Sequence, residues 1–370
     1  MVRRPIFSLP WTLFRLLALS LAWSPAAVLA QTMPQDLDPF IAAYAEAHDF
    51  NGTILVEAGG KVRYERSFGL ANLPFKAANT PQTKYRIASI TKTFTAALIL
   101  QLYEAGRLDL DGVIGQYLPE YRGEAADKVT VQQLLNHTSG LENFDQVGSM
   151  EAALAGGLPA YQTPYTSDQL VQKFCSGKLV HAPGTVFEYN NGDYILLGKI
   201  VEKMYAKPFE QVLAERLLVP LGMSDTGMLR HNDIVEGLAD SYFYRDDLKT
   251  LSNDLPVYPE NWYAAGAMYS TVRDLAKFSD ALFGGRLLQP ATLALMTRPG
   301  LDDYGDGLWV YETKINGRKH RVAKRPGRIM GAQTQLYRFL DDDTTIILLS
   351  NAGRADTDEF VAEIGKRAVR

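Results

Sequence analysis

The sequence contains very little cysteine and histidine. A single cysteine, Cys175, among 370 residues excludes an intramolecular disulfide, so the fold depends on its hydrophobic core. We expect Cys175 to end a helix as a small, half-buried hydrophobic residue, because Val-Gln-Lys-Phe precedes it. The five histidines are scattered, and neither Cys-x-x-Cys nor His-Glu-x-x-His occurs. The pattern therefore predicts no metal site and no cofactor.

An excess of positive charge is also missing. The chain carries 38 Lys and Arg against 42 Asp and Glu, a formal net charge of −4, which argues against nucleic acid as the partner. The phosphate-binding loop Gly-x-x-x-x-Gly-Lys and the Gly-x-Ser-x-Gly turn of many hydrolases do not occur either. We therefore expect a small-molecule or peptide substrate as the partner. No pattern indicates the oligomeric state.

Long hydrophobic runs are missing except near the N-terminus. Arg3 and Arg4 precede an apolar stretch over residues 11–23, and Val28-Leu-Ala supplies small residues before a cleavage point. This order predicts that residues 1–30 are a cleaved signal peptide and that the protein is periplasmic or secreted. The alternative is a membrane anchor, but Arg15 interrupts the run and leaves it short of the roughly 20 residues that span a bilayer.

Strand patterns occur at both ends of the remaining chain. A helix over 38–48 and a hairpin over 52–68 with a Gly-Gly turn begin it, and alternating strand patterns return between 307 and 350 before a final helix. Helical patterns fill about 85–300. The sequence predicts an α/β protein of the α+β type, with one antiparallel sheet formed from both termini, flanked by helices and carrying a large helical insertion.

These patterns place residues 31–370 in one domain. Its sheet part covers about 31–80 and 300–370, and its helical part covers about 81–299. An active site is expected in the cleft between the two parts.

Ser89 and Lys92 form a Ser-x-x-Lys motif at the start of a helical pattern. A spacing of three residues places both side chains on one helix face, where a lysine with a lowered pKa can activate a serine hydroxyl. The free N–H groups of a helix start can also stabilise negative charge on a bound carbonyl. The alternative is a simple helix cap with a solvated lysine. The motif alone is weak, because short patterns of common residues arise by chance.

A second polar segment, Tyr189-Asn190-Asn191, follows a Pro-Gly turn and precedes a helix beginning near Gly192. A tyrosine hydroxyl beside a lysine can share in proton transfer, and an asparagine amide can hold a substrate carbonyl or orient the lysine. The alternative is an Asn-Asn-Gly turn in which Tyr189 only packs.

His137 is a further candidate for a catalytic base. Thr130-Val-Gln-Gln133 fits a capping box that opens a short helix, which places His137 near the C-terminal turn of that helix. We therefore expect a structural role for His137.

With these segments, the sequence resembles the serine hydrolases of the class C β-lactamase and penicillin-binding-protein superfamily, which includes D,D-carboxypeptidases, D-aminopeptidases and β-lactamase-like esterases. Nearly the whole mature chain takes part, and the matching segments follow the family's order: Ser89–Lys92, Leu134–Gly140, Pro183–Gly184, Tyr189–Asn191, Leu196–Gly198 and Ala265–Thr271. The resemblance implies Ser89 as acylated nucleophile, Lys92 as general base, Tyr189 as proton-transfer partner and Asn191 as substrate-positioning amide.

The third motif of the family departs from its usual form. Family members carry Lys-Thr-Gly or His-x-Gly, and this chain has Arg325-Pro-Gly. The resemblance implies that Gly327 keeps the backbone open and that the Arg328 N–H helps to form an oxyanion hole with that of Ser89. Arg325 keeps the charge but cannot shuttle protons, so we expect it at the mouth of the cleft as a binder of substrate carboxylates.

The sequence therefore predicts an exported, cofactor-free serine hydrolase that cleaves an ester or an amide through an acyl-enzyme on Ser89. It is expected to be of the esterase or D-amino-acid peptidase type, with at most weak β-lactamase activity. An acyltransferase would use the same residues. The alternative from a different class is a catalytically weak member that binds cell-wall peptides without turnover, which the altered third motif keeps open.

Overall fold

The computed structural model describes residues 37–145 and 150–369. The signal peptide predicted for residues 1–30 lies outside these ranges. Within them, no helix has the length and apolar character needed to cross a membrane.

The described chain contains strands, helices and a few short helical turns. The strands are β1 (Gly52–Ala58), β2 (Lys61–Phe68), β3 (Leu70–Asn72), β4 (Ala77–Ala78), β5 (Tyr85–Arg86), β6 (Gly227–Met228), β7 (Tyr242–Arg245), β8 (Thr250–Asn253), β9 (Met268–Ser270), β10 (Trp309–Ile315), β11 (Arg318–Ile329), β12 (Ala332–Phe339) and β13 (Thr344–Ser350). The helices are α1 (Leu37–Ala47), α2 (Thr91–Glu104), α3 (Ile114–Tyr117), α4 (Val131–Leu135), α5 (Met150–Gly156), α6 (Ser167–Phe174), α7 (Asn191–Tyr205), α8 (Phe209–Leu213), α9 (Val219–Leu221), α10 (Tyr263–Gly266), α11 (Val272–Phe283), α12 (Pro290–Met296) and α13 (Thr357–Ala368).

The main sheet has six strands in the order β10-β11-β12-β13-β1-β2, and every neighbouring pair is antiparallel. The first and last strands of the chain meet where β1 pairs with β13, so Gly52 lies opposite Ser350. The predicted fold class, a sheet built from both termini with a helical insertion, is confirmed. Gly59 and Gly60 join β1 to β2 with φ of +59° and +67°, the backbone that a tight two-residue hairpin turn requires.

The sheet is covered on both faces. Side chains alternate along β1, so Ile54 and Val56 pack with α1 and α13, whereas Leu55 packs with the helical insertion. All seven residues of β1 and of β13 are buried, which explains the apolar runs at the centre of the two strands, Ile54–Val56 and Ile346–Leu349. The sheet is therefore the middle layer between a terminal helix pair and the helices of the insertion.

The sequence analysis missed the short strands inside the insertion. Strand β9 pairs with β5 and β6 in a small three-stranded sheet, and β7 pairs with β8 in a hairpin. Strands of two to four residues carry too few positions for an alternating pattern to stand out. The small sheet matters for the site, because β5 ends at Arg86, three residues before Ser89.

Candidate active site

Ser89 lies in a 3-10 turn, Ala88–Ile90, that leads directly into α2. Ala88 adopts a left-handed φ of +48°, which is uncommon for a residue with a Cβ atom and must be held by surrounding contacts. Thr91 Oγ1 donates to the Ala88 carbonyl at 2.7 Å, and the Ile87 N–H donates to the Met268 carbonyl at 2.9 Å. These bonds fix the turn, and Ser89 remains half-buried.

Strand β11 passes very close to this turn at Gly327. A Cβ atom on Gly327 would lie 2.3 Å from the Ile87 carbonyl oxygen and 2.4 Å from Thr334 Oγ1. Thr334 Oγ1 itself donates to the Ile87 carbonyl at 3.1 Å. Gly327 is therefore required for the close approach of the strand to the nucleophile turn, which gives a physical reason for a glycine in the third motif.

Lys92 is fully buried on the first turn of α2. Its Nζ donates to Ser89 Oγ at 3.1 Å, to Asn191 Oδ1 at 2.6 Å and to the Ala265 carbonyl at 2.9 Å. Burial lowers the pKa of Lys92 to about 8, and the nearby Arg325 cation acts in the same direction. A neutral amine is therefore accessible near physiological pH.

Tyr189 lies on the other side of the nucleophile. Its hydroxyl donates to Ser89 Oγ at 2.8 Å, and Lys92 Nζ lies 4.8 Å from the centre of its ring. Burial raises the pKa of a phenol, but the Arg325 and Lys92 cations outweigh burial, and the pKa of Tyr189 falls below its usual value. The structure thus brings Ser89, Lys92 and Tyr189 together.

Asn191 is the first residue of α7, and its amide is turned toward Lys92. Its Oδ1 accepts from Lys92, and its Nδ2 donates to Asp145 and, at 3.4 Å, to the Tyr161 hydroxyl. Both ends of the amide are thus used inside the protein, which favours orientation of the lysine over direct binding of a substrate carbonyl.

Arg325 differs from the expectation of a carboxylate binder at the mouth of the cleft. Its side chain is only 1% exposed. The Nε donates to the Ser89 carbonyl at 2.8 Å, Nη1 donates to the Tyr304 hydroxyl at 2.7 Å, and Nη2 donates to the Tyr189 hydroxyl. The reason is strand alternation, which turns Arg325 and Gly327 inward toward the nucleophile turn.

The neighbouring cations of β11 face the opposite side of the strand. Lys324 and Arg328 both form ion pairs with Asp358 of α13. The Arg328 side chain is 57% exposed, so only its backbone N–H remains available for the oxyanion role that the resemblance implied.

His137 lies behind Tyr189 in the buried wall of the site. Their ring centroids are 4.5 Å apart, and His137 Nδ1 is hydrogen-bonded to Asp193 at 2.9 Å. Burial lowers the pKa of His137 and raises the pKa of Asp193. This position is consistent with the structural role expected of His137. The capping box of Thr130 and Gln133 is present at the start of α4.

Several groups of the site were missed by the sequence analysis. Asp145 accepts from Asn191 and from Tyr161, and Tyr304 accepts from Arg325. The missed residues Asp145, Tyr161 and Tyr304 lie in loops without a motif. The Ala265 carbonyl could have been found, since it falls in a segment that resembles the family. Cys175 follows α6 as predicted, and it is buried rather than half-buried.

Comparisons with known proteins show the family to which the chain belongs. A model of the beta-lactamase family matches residues 37–369. The chain is 28% identical over 356 residues to penicillin-binding protein 4* of Bacillus subtilis (strain 168), covering 92% of this chain and 76% of that relative.

Two solved structures extend the comparison. D-amino acid amidase from Ochrobactrum anthropi SV3 superposes with a TM-score of 0.75 at 26% identity, covering 90% of this chain and 97% of that chain. EstCE1, a hydrolase with promiscuous acyltransferase activity, superposes with a TM-score of 0.76 at 20% identity, covering 90% and 98%, which shows a shared fold alone.

The fold and the matched residues define the class of this protein. The chain belongs to the beta-lactamase family and is a β-lactamase-related serine hydrolase.

Gly327→Ala tests the close contact between β11 and the nucleophile turn. The added methyl group must push against the Ile87 carbonyl, so we expect stability to fall by about 1–3 kcal/mol and turnover to fall at least about tenfold. Thermal unfolding and steady-state kinetics measure the two effects. Gly156→Ala is the matched control, since its Cβ would meet nothing within 4 Å. Unchanged turnover in Gly327→Ala would show that the turn tolerates displacement.

Proposed function

We propose that this protein cleaves an ester or an amide through an acyl-enzyme on Ser89, with Lys92 as general base. The observation that carries the proposal is the pair of hydrogen bonds on Ser89 Oγ, from Lys92 Nζ at 3.1 Å and from the Tyr189 hydroxyl at 2.8 Å. A serine hydroxyl needs a nearby base to react at neutral pH, and a buried lysine with a lowered pKa can supply it.

The reaction proceeds in two halves. Ser89 Oγ attacks the carbonyl carbon, and its proton passes to Lys92 Nζ, directly or through the Tyr189 oxygen. The bond from the carbonyl carbon to the leaving oxygen or nitrogen then breaks, and the leaving group takes that proton. Water attacks the acyl-enzyme in the second half, returns a proton through the same groups and releases the acid.

Negative charge on the carbonyl oxygen requires donors in a fixed place. We assign this role to the backbone N–H groups of Ser89 and Arg328, as the family resemblance implies. Support comes from the close approach of β11 at Gly327, one residue before Arg328, to the turn that carries Ser89.

The relatives support acyl transfer from an amide. The amidase superposes over nearly all of this chain at 26% identity, and a D-stereospecific amidohydrolase from Streptomyces sp. does so at 28%. We therefore propose small esters and D-amino-acid amides or peptides as substrates. The alternative, a cell-wall-peptide binder without turnover, is separated by the first experiment below.

Acylation of Ser89 is tested first. A serine-reactive phosphonate should add one adduct to the intact mass, and Ser89→Ala should abolish both the adduct and the hydrolysis of p-nitrophenyl butyrate. Ser176→Ala, which changes a hydroxyl bonded to the Val171 carbonyl, is the matched control. Labelling that persists in Ser89→Ala would contradict the assignment. An adduct at Ser89 without hydrolysis of any ester or amide would favour the binding protein.

The general base is tested in the same assay. Lys92→Met fills the buried space without an amine, and turnover should fall at least ~10²-fold while the fold is kept. Lys199→Met, at a lysine paired with Asp168 and Glu202, is the control. A folded Lys92→Met with unchanged turnover would rule out Lys92 as the base.

The pH dependence follows from the pKa of Lys92. Only the neutral amine accepts a proton, so with a pKa of about 8 the value of kcat/KM should rise about tenfold per pH unit below pH 8 and level off above it. Arg325 stays charged throughout this pH range, so it adds no second transition to the pH profile of kcat/KM. Initial rates from pH 5.5 to 9.5, corrected for spontaneous hydrolysis, measure the profile. A midpoint near the usual value for lysine would contradict the lowered pKa.

We also propose that the protein is exported after removal of residues 1–30. Support comes from the basic, apolar and small-residue segments at the N-terminus. A tagged protein should appear in the periplasmic or secreted fraction with Gln31 as its first residue, read by intact mass. Full-length chain in the membrane fraction would favour the anchor instead.

A further inference from the structure

All three nitrogens of the Arg325 guanidinium are engaged inside the protein. Each of its three nitrogens donates a hydrogen bond, and the acceptors are the Ser89 carbonyl, the Tyr304 hydroxyl and the Tyr189 hydroxyl. With 1% of the residue exposed, no edge of the planar group faces the cleft. Bidentate binding of a substrate carboxylate needs two parallel N–H groups that face the cleft, and the buried guanidinium does not present them.

Aromatic rings enclose the same cation. The Arg325 Cζ lies 5.2 Å from the Tyr189 ring centre, 5.3 Å from that of Trp309 and 5.9 Å from that of Tyr304. Trp309 packs edge-on against Tyr304 with the ring centroids 4.7 Å apart. To reach a substrate, the guanidinium would have to break its hydrogen bonds and leave these ring faces together.

The other cations near the nucleophile are bound as well. Lys324 and Arg328 of β11 are paired with Asp358, and the Lys92 ammonium is held by three oxygen acceptors. Binding of an anionic substrate end would therefore compete with contacts that already stabilise the folded site.

We propose that Tyr304 is a positioning residue that sets substrate specificity by holding Arg325 away from the cleft. The Tyr304 hydroxyl fixes one end of the guanidinium, so the enzyme selects acyl donors whose acyl part is uncharged over donors whose acyl part ends in a carboxylate. This inference rests on the proposed ester or amide hydrolysis and names its substrate class.

A matched pair of esters tests the selection. p-Nitrophenyl butyrate and mono-p-nitrophenyl succinate share a leaving group and a four-carbon acyl chain, and they differ in a terminal methyl or carboxylate group. We expect wild-type kcat/KM to favour the butyrate at least about tenfold, because the succinate carboxylate must give up water in a cleft that offers it no free cation. This comparison needs no variant. Equal or better hydrolysis of the succinate would overturn the inference alone. A wild type that neither ester acylates, by intact mass, would overturn the proposed function first.

Tyr304→Phe tests the role of the hydroxyl. The ring still packs on Trp309, but Nη1 of Arg325 loses its acceptor and can turn toward the cleft. We expect the succinate-to-butyrate ratio of kcat/KM to rise at least about fivefold, mainly through a lower KM for the succinate. Tyr311→Phe is the control. It removes a β10 hydroxyl that donates to the Tyr337 hydroxyl of β12, and it should leave the ratio unchanged. A folded Tyr304→Phe with the wild-type ratio would overturn the inference.

Arg325→Met keeps the inference testable where Tyr304→Phe fails to fold. Both esters should react more slowly, because Tyr189 loses a donor, but their ratio should stay within about threefold of the wild-type value. A selective loss of at least about tenfold on the succinate would show that Arg325 binds the carboxylate, and it would overturn the inference.

Discussion

The site depends on two cations buried beside one phenol. Lys92 and Arg325 flank Tyr189, and among the described residues neither forms an ion pair with a carboxylate. Both are balanced by neutral oxygens and by ring faces instead. A buried charge without such acceptors is strongly unfavourable, so the oxygens around these cations must stand in fixed places. Burial, with the nearby Arg325 cation, lowers the pKa of Lys92, and the two cations together outweigh burial and lower the pKa of Tyr189.

The acceptors come from distant parts of the chain. Lys92 bonds to Asn191 and to the Ala265 carbonyl, whereas Arg325 bonds to Tyr304 and to the turn of Ser89. Each segment belongs to a different element, and only packing of the insertion on the sheet brings them together. The cations beside the nucleophile therefore receive their acceptors only when the helical insertion packs on the sheet.

How much the sequence could predict follows from this arrangement. Alternating strand patterns and the Gly-Gly turn were enough for the antiparallel sheet, and Ser-x-x-Lys with Tyr-x-Asn was enough to bring Ser89, Lys92 and Tyr189 into one hypothesis. Asp145 and Tyr304 lie in loops, where no periodicity marks a side chain. The prediction that the Arg325 side chain lies at the mouth of the cleft was wrong. The surroundings of a strand residue depend on the register of its strand, and the family motif gives only the type of residue.

The geometry also explains why arginine suits this position in place of the family's lysine or histidine. A lysine has one nitrogen from which all its donors radiate, whereas the three separate nitrogens of the Arg325 guanidinium, held in one plane, reach Ser89, Tyr189 and Tyr304 at once. Arg325 thus connects the nucleophile turn, the Tyr189 loop and the loop before β10. The pKa of a guanidinium also keeps the charge fixed at any pH at which the protein folds. In place of a lysine or histidine, which can exchange protons or contact the substrate, this chain therefore has an arginine that stays charged and holds three segments of the site together.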